Sequence, residues 1–134
     1  MSEKLSVLLV DDSRVVLTQL KILIADLDGV EVAGTARDGA AAIRLVAELK
    51  PDLVLMDLVM PGVDGMSALR LITAQHPDVQ VAVISSVGGT QSRAAEAFRL
   101  GAVQVLGKPF DAEILAALFE SVRRSLPRPQ EVHA

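Results

Sequence analysis

Leu5-Ser6-Val7-Leu8-Leu9-Val10-Asp11-Asp12-Ser13 sets a six-residue apolar run, interrupted only by Ser6, directly against two aspartates and a serine. So short a run with so little polar alternation predicts a strand buried on both faces, and the abrupt change to Asp11-Asp12 marks its carboxyl end. The pattern recurs along the chain. Leu53 to Met56 stops at Asp57, Val79 to Ile84 stops at Ser85-Ser86, and Val103 to Leu106 is followed by Gly107 and Lys108. Val30 to Ala36 adds a further strand-like stretch, turned by Asp38-Gly39.

The segments between these runs carry helical spacing. From Ser13, placed to cap, Val16, Leu20, Leu23 and Leu27 repeat at three to four residues, and Gly29 closes the segment. Ile43, Val46 and Ala47 share a face of a second helix that ends at Pro51. Met66, Leu69 and Ile72 stripe a third, broken by His76-Pro77-Asp78. Ala94, Ala97 and Phe98 belong to a fourth, capped by Thr90 or Ser92 and ended by Gly101. Asp111 caps the last, which carries Leu115, Leu118 and Val122 before Pro127 and Pro129 open a polar tail. Five strands alternating with five helices require crossover connections, so the expectation is a doubly wound α/β fold with a parallel sheet covered on both faces. The expected domain spans residues 1–126, with 127–134 as the C-terminal tail.

Composition narrows the function classes. With 134 residues, 51% apolar and 22% charged, the chain suits one globular domain able to hide about two-thirds of its unfolded surface. No cysteine is present, which excludes disulfides, thiolate zinc sites, iron-sulfur clusters and a cysteine nucleophile, and agrees with a reducing, cytoplasmic setting. The apolar run after Met1-Ser2-Glu3-Lys4 is too short for a signal sequence or a membrane span. Net charge is −4 and no basic run exceeds Arg123-Arg124, so neither nucleic acid nor an anionic membrane is an expected partner. Phe98, Phe110 and Phe119 are the only aromatic residues besides two histidines, too few to stack bases or flavins.

In open parallel sheets, ligands gather outside the carboxyl ends of the strands. Here those ends bring Asp11, Asp12, Asp57, Ser85, Ser86 and Lys108 to one edge, Lys108 being the one basic residue that the pattern places at a strand end. Three carboxylates at one edge repel unless a cation neutralises them, and magnesium, which takes oxygen ligands and keeps waters and phosphate in its shell, suits the need. Lys108 and a serine hydroxyl are then placed to stabilise the oxygens of a phosphoryl group. Asp11 and Asp12 are fitted to hold the metal, whereas Asp57 stands before the turn-rich Met60-Pro61-Gly62-Val63-Asp64-Gly65 and faces incoming phosphate. Chemistry alone leaves open whether Asp57 is a nucleophile or a ligand.

Plainer roles exist for each of these residues. Aspartates near a helix start serve as caps, a lysine after a strand is commonly solvated, and Ser85-Ser86 could be turn hydroxyls. His76 and His133 lack partners for a triad or zinc site, Gly88-Gly89 lacks the Gly-Lys-Ser/Thr of a phosphate loop, and Arg123-Arg124 complement a helix C-terminus. Phe98 and Phe110 read as core or helix-packing residues.

Taken together, Val10-Asp11-Asp12-Ser13, the segment from Met56 to Gly65, Ser85, and Gly101-Ala102 followed by Lys108-Pro109-Phe110 resemble the receiver domain of bacterial two-component response regulators, over about Leu5 to Leu126. The resemblance implies a flavodoxin-like sheet of strand order 2-1-3-4-5. It also implies that Asp57 accepts a phosphoryl group from a phosphohistidine on a sensor kinase or phosphotransfer protein. Asp12 would bind Mg2+ and Asp11 would do so mainly through water, with Asp57 and the Val59 carbonyl completing the protein ligands. Ser85 and Lys108 would each bind a phosphoryl oxygen, and the Lys108-Pro109 bond would be cis. Family kinases dock on the first-helix face, here including Val15, Val16 and Gln19.

The implied function is a signalling switch, enzymatic only in self-phosphorylation and autodephosphorylation. Its implied output is a protein bound at the face of the fourth helix, fifth strand and fifth helix. A start at Met1 and an eight-residue tail favour a stand-alone chemotaxis-type regulator acting on the flagellar motor switch, or a phosphorelay intermediate. The alternative is the receiver part of a larger regulator, such as a chemotaxis methylesterase, which Ser85-Ser86 also suggests, or a DNA-binding response regulator. A small magnesium-dependent phosphatase would want a second acid at Val59 and a capping segment, and a flavin carrier would find its phosphate repelled by Asp11-Asp12.

Three positions, in two departures, differ from the family pattern. Val105 stands where many receivers carry a switch aromatic, so phosphorylation is expected to be read through the Ser85 to Gly89 loop and the helix after it. Val59 and Val87 stand near the expected path of attacking water and are both apolar, which predicts a long-lived phosphoryl group. The half-life of the phosphorylated Val59→Asn/Val87→Glu variant is expected to be shorter than that of the wild type, and an equal half-life refutes the assignment.

Overall fold

Burial on both faces is what gives the first strand, β1 (Leu5–Val10), its unbroken apolar character: Val7, Leu8, Leu9 and Val10 are fully buried although alternate side chains point to opposite faces. In the computed structural model, which describes residues 4–58, 65–85, 91–107 and 111–126, β1 is an interior strand of five parallel strands, between one edge strand and the central strand. The others are β2 (Val30–Ala36), β3 (Leu53–Asp57), β4 (Gln80–Ser85) and β5 (Gln104–Gly107), in the order β2-β1-β3-β4-β5. Between them run α1 (Arg14–Ala25), α2 (Gly39–Leu49), α3 (Gly65–Gln75) and α4 (Gln91–Arg99), and α5 (Ala112–Ser125) follows β5. The doubly wound α/β fold and strand order 2-1-3-4-5 are as expected.

Strand parity sorts the core into two layers. Leu5, Val7 and Leu9 of β1, with Leu53 and Leu55 of β3, pack against Leu17, Leu20 and Ile24 of α1 and Leu115, Leu118 and Phe119 of α5. Leu8 and Val10, with Val54 and Met56, face Ala42 and Val46 of α2, Leu69 and Ile72 of α3, and Ala97 of α4. Three helices, α1, α2 and α5, start on side-chain caps: Ser13 Oγ, Asp38 Oδ1 and Asp111 Oδ1 accept from the N–H groups of Val16, Ala41 and Ile114 at 3.2, 2.8 and 3.0 Å. The caps read from Ser13 and Asp111 are therefore formed, and Asp38, read as a turn, caps as well. Among the described residues no helix is long and apolar enough to cross a membrane.

Several boundaries differ from the sequence pattern. α1 stops at Ala25 rather than running to Gly29, because Asp26 and Asp28 would set negative charge against the negative end of the helix dipole. Leu27 leaves the helix yet stays packed against the α1/α5 layer. Ser92 lies inside α4 and is not its cap, while Thr90 falls outside the described residues. Gly101 ends α4 as expected: at φ 115° it donates to the Phe98 carbonyl at 3.1 Å, and Ala102 donates to Ala97 at 2.9 Å, a Schellman closure. Phe98 is not a core residue. It is 48% exposed, against 2% for Phe119, because the buried stripe of α4 runs through Ala97 instead. Phe119→Ala is therefore expected to lower stability by about 3–5 kcal/mol in urea unfolding, and Phe98→Ala to change it by no more than about 0.5 kcal/mol.

Candidate functional site

The register of β1 and β3 decides what meets at the carboxyl edge of the sheet. Val10 lies opposite Met56, so one step further along both strands brings Asp11 beside Asp57. Both acids continue the parity of the residues that face α1 and α5, and both are buried, at 1% and 4% exposure. Asp11 is held from two sides: its N–H donates to the Ala36 carbonyl of β2 at 3.0 Å, and its Oδ1 accepts from the Ser13 N–H at 2.9 Å. The same Ser13 caps α1, so the acid pair and the helix start are one hydrogen-bonded unit. Asp12 is exposed, and one carboxylate oxygen from each of Asp11, Asp12 and Asp57 lies within 4.8 Å of the others.

That donor set fits a hard divalent cation. It offers carboxylate oxygens only, from acids of which two are buried, and three protein donors leave room for water or a phosphoryl oxygen in an octahedral shell. Among the described residues the cluster holds no nitrogen or sulfur donor, which softer metals prefer.

The end of β3 is fixed by the chain that returns to it. Leu58 donates to the Ile84 carbonyl of β4 at 3.1 Å, and Gly65, which opens α3, donates to the Leu58 carbonyl at 3.1 Å. A β-carbon on Gly65 would stand 2.5 Å from Leu58 Cα and 2.7 Å from the Asp57 and Leu58 carbonyl oxygens. Only glycine allows that approach, so the residue anchors the backbone on which Asp57 sits.

The sequence-derived residues distribute as follows. Asp11, Asp12 and Asp57 come together. Ser85 is the last residue of β4 and its backbone pairs with Gly107 of β5, which precedes Lys108. Val59, Ser86, Val87, Lys108, Pro109 and Phe110 lie outside the described residues. Val105 is half-buried against the α2/α3/α4 layer. Val15 and Gln19 are exposed on α1, where Ile22 extends the exposed face. Lys108 is not alone as a basic residue at a strand end. Arg37 directly follows β2, and its Nη2 donates to the Asp12 carbonyl at 3.2 Å. Its signal was its place immediately after the strand-like run that ends at Ala36 and before the Asp38-Gly39 turn.

Residues 7–120 match the family model described as the response regulator receiver domain. The chain belongs to that family. As a receiver domain of two-component systems, it is 42% identical over 103 residues to the protein-glutamate methylesterase/protein-glutamine glutaminase 5 of Myxococcus xanthus, a match covering 77% of this chain and 30% of that protein. It is 36% identical over 120 residues to the chemotaxis protein CheY of Listeria monocytogenes, covering 89% of this chain and 99% of that one. Among solved structures, the response regulator domain of Thermotoga maritima CheB superposes with a TM-score of 0.80 at 33% identity, over 92% of this chain and 96% of that one. The chain thus spans about a third of the length of the methylesterase and nearly all of the chemotaxis protein.

Replacing Gly65 with alanine forces a β-carbon into backbone atoms and is expected to lower stability by about 1–3 kcal/mol in urea unfolding. Gly107→Ala, where the added carbon meets nothing within 4 Å, serves as the control and is expected to shift stability by no more than about 0.5 kcal/mol.

Proposed function

We propose that this receiver domain is a phosphorylation-controlled switch in which Asp57 accepts a phosphoryl group from a phosphohistidine on a sensor histidine kinase or phosphotransfer protein. The observation that carries the reading is Asp57 itself, buried at the end of β3 with its carboxylate among those of Asp11 and Asp12. An Asp57 oxygen forms the new O–P bond as the N–P bond of phosphohistidine breaks, and the imidazole nitrogen keeps the released electron pair. Asp12, Asp57, the Val59 carbonyl and, mainly through water, Asp11 hold Mg2+, which supplies charge neutralisation for the incoming phosphoryl oxygens. Ser85 and Lys108 each take a phosphoryl oxygen.

The kinase or phosphotransfer partner docks on α1 through Val15, Val16 and Gln19, of which Val15 is 66% exposed. The downstream protein binds the face made by α4, β5 and α5, where Phe98 is exposed. The chain acts in the cytoplasm, as a chemotaxis-type regulator or phosphorelay component, with residues 1–126 as the receiver unit and 127–134 as a tail. The turn at Leu126, whose N–H donates to the Arg123 carbonyl at 3.3 Å as α5 closes, supports that division. It does no chemistry beyond its own phosphorylation and dephosphorylation. A second reading, the receiver part of a chemotaxis methylesterase, is favoured by the likeness to the Myxococcus and Thermotoga proteins.

Intact mass after incubation with Mg2+ and acetyl phosphate or phosphoramidate tests the chemistry. The expected result is a phosphoryl adduct on wild type that needs Mg2+ and is lost in Asp57→Asn. Wild-type protein that stays unmodified with both donors overturns the assignment of Asp57.

A further inference from the structure

The acidic pocket has a cation beside it. β2 and β1 are neighbours, with Val10 opposite Ala36, so the residue after Ala36 emerges at the same edge as Asp11 and Asp12. That residue is Arg37, and its guanidinium reaches across to the Asp12 carbonyl at 3.2 Å. Its backbone is bounded on one side by the Asp11–Ala36 hydrogen bond and on the other by Asp38, whose carboxylate caps α2. The backbone that carries this charge is therefore held on both sides.

We infer that Arg37 sets the divalent-cation affinity of the pocket, its positive charge opposing the metal that Asp11, Asp12 and Asp57 attract. The inference rests on the metal-dependent reading above. Two effects of Arg37 on the site compete. Its hydrogen bond steadies the Asp12 backbone and so favours binding, but at 3.2 Å in an exposed position that bond contributes little net energy. Its charge acts on the full charge of a dication, with no geometric requirement, and dominates. With surface-like screening, a unit charge within about a Debye length of a dication changes a dissociation constant by about three- to ten-fold.

Calorimetric titration of Mg2+ into the wild type, Arg37→Gln and Arg37→Lys measures the effect without any phosphoryl donor. Arg37→Gln is expected to bind Mg2+ about three- to ten-fold more tightly than wild type. Arg37→Lys, which keeps the charge, stays within about two-fold of wild type. Near 1 M salt, where the Debye length falls to about 3 Å, the gap between Arg37→Gln and wild type closes. Because Arg37 is exposed and makes no core contact, urea unfolding of each variant is expected to match wild type, so folding does not confound the comparison. Equal dissociation constants for wild type and Arg37→Gln overturn the inference and leave the metal reading intact. Tighter binding by both variants also overturns it, since a substitution that keeps the charge would then act like one that removes it. A wild type that shows no Mg2+ binding removes the metal reading and this inference together.

Discussion

Three carboxylates held within 4.8 Å of one another repel, and a chain free to choose would separate them. The parallel register of β1 and β3 removes that freedom, since it fixes Asp11 one step beyond Val10 and Asp57 one step beyond Met56 on adjacent strands. Moving the pair apart by one residue would turn every side chain of a strand buried on both faces, exchanging Leu53 and Leu55 with Val54 and Met56 between layers. The apolar layers on the two faces of the sheet therefore hold the acids in place, and the repulsion is carried by the stability of the whole core. Local strengthening accompanies this: Asp11 accepts from Ser13 and donates to Ala36, and Gly65 pins the chain behind Asp57.

The layers also divide the molecule functionally. The side chains of Asp11 and Asp57 share the parity of the α1/α5 layer, and Ser13 joins the pocket directly to the first turn of α1. A change of charge in the pocket thus acts at the base of α1 without passing through the sheet. The opposite layer, with α4, connects to the same edge through β4 and β5, whose paired ends are Ser85 and Gly107. A sheet buried on both faces leaves its carboxyl edge as the place where polar side chains gather, as open parallel sheets generally do.

Most of this was legible because the strands are buried on both faces. Such strands read as uninterrupted apolar runs, and each run stops where the sheet edge begins, so Asp11, Asp12, Asp57 and Ser85 could be read as edge residues from the change in polarity alone. β2 is the exception and Arg37 the consequence. Glu31 is exposed and Val32, Ala33, Gly34 and Thr35 only half-buried, so β2 lacks the step from an apolar run to polar residues that marks the other strand ends, and Arg37 does not stand out after it. Phe98 misled for the opposite reason. Its spacing fits the α4 stripe, but Ala97 fills the close approach to the sheet and the larger ring turns outward. Helix ends at Ala25 and the start of α4 depend on charge and capping balances of about 1 kcal/mol, below what spacing resolves.

On the proposed function, phosphorylation replaces the single charge of the Asp57 carboxylate with the nearly two charges of an acyl phosphate, a net gain of about one negative charge beside the carboxylates of Asp11 and Asp12. Metal and cationic side chains must offset that charge, and any conformational response is limited to the difference in how the two conformers meet it. A shift from about 1:99 to 99:1 needs about 5.5 kcal/mol of such difference. Half-buried Val105 presents no large ring whose burial could add to that sum. The difference must then come from polar contacts at the sheet edge, each charge-assisted hydrogen bond contributing about 1.5–3 kcal/mol. Two or three such contacts suffice, which is the number that one phosphoryl group can make with a hydroxyl, an ammonium and the backbone around them. On that reading the energetics of switching and the electrostatics of the pocket are one problem, because the contacts that answer the added charge are the polar groups at the sheet edge.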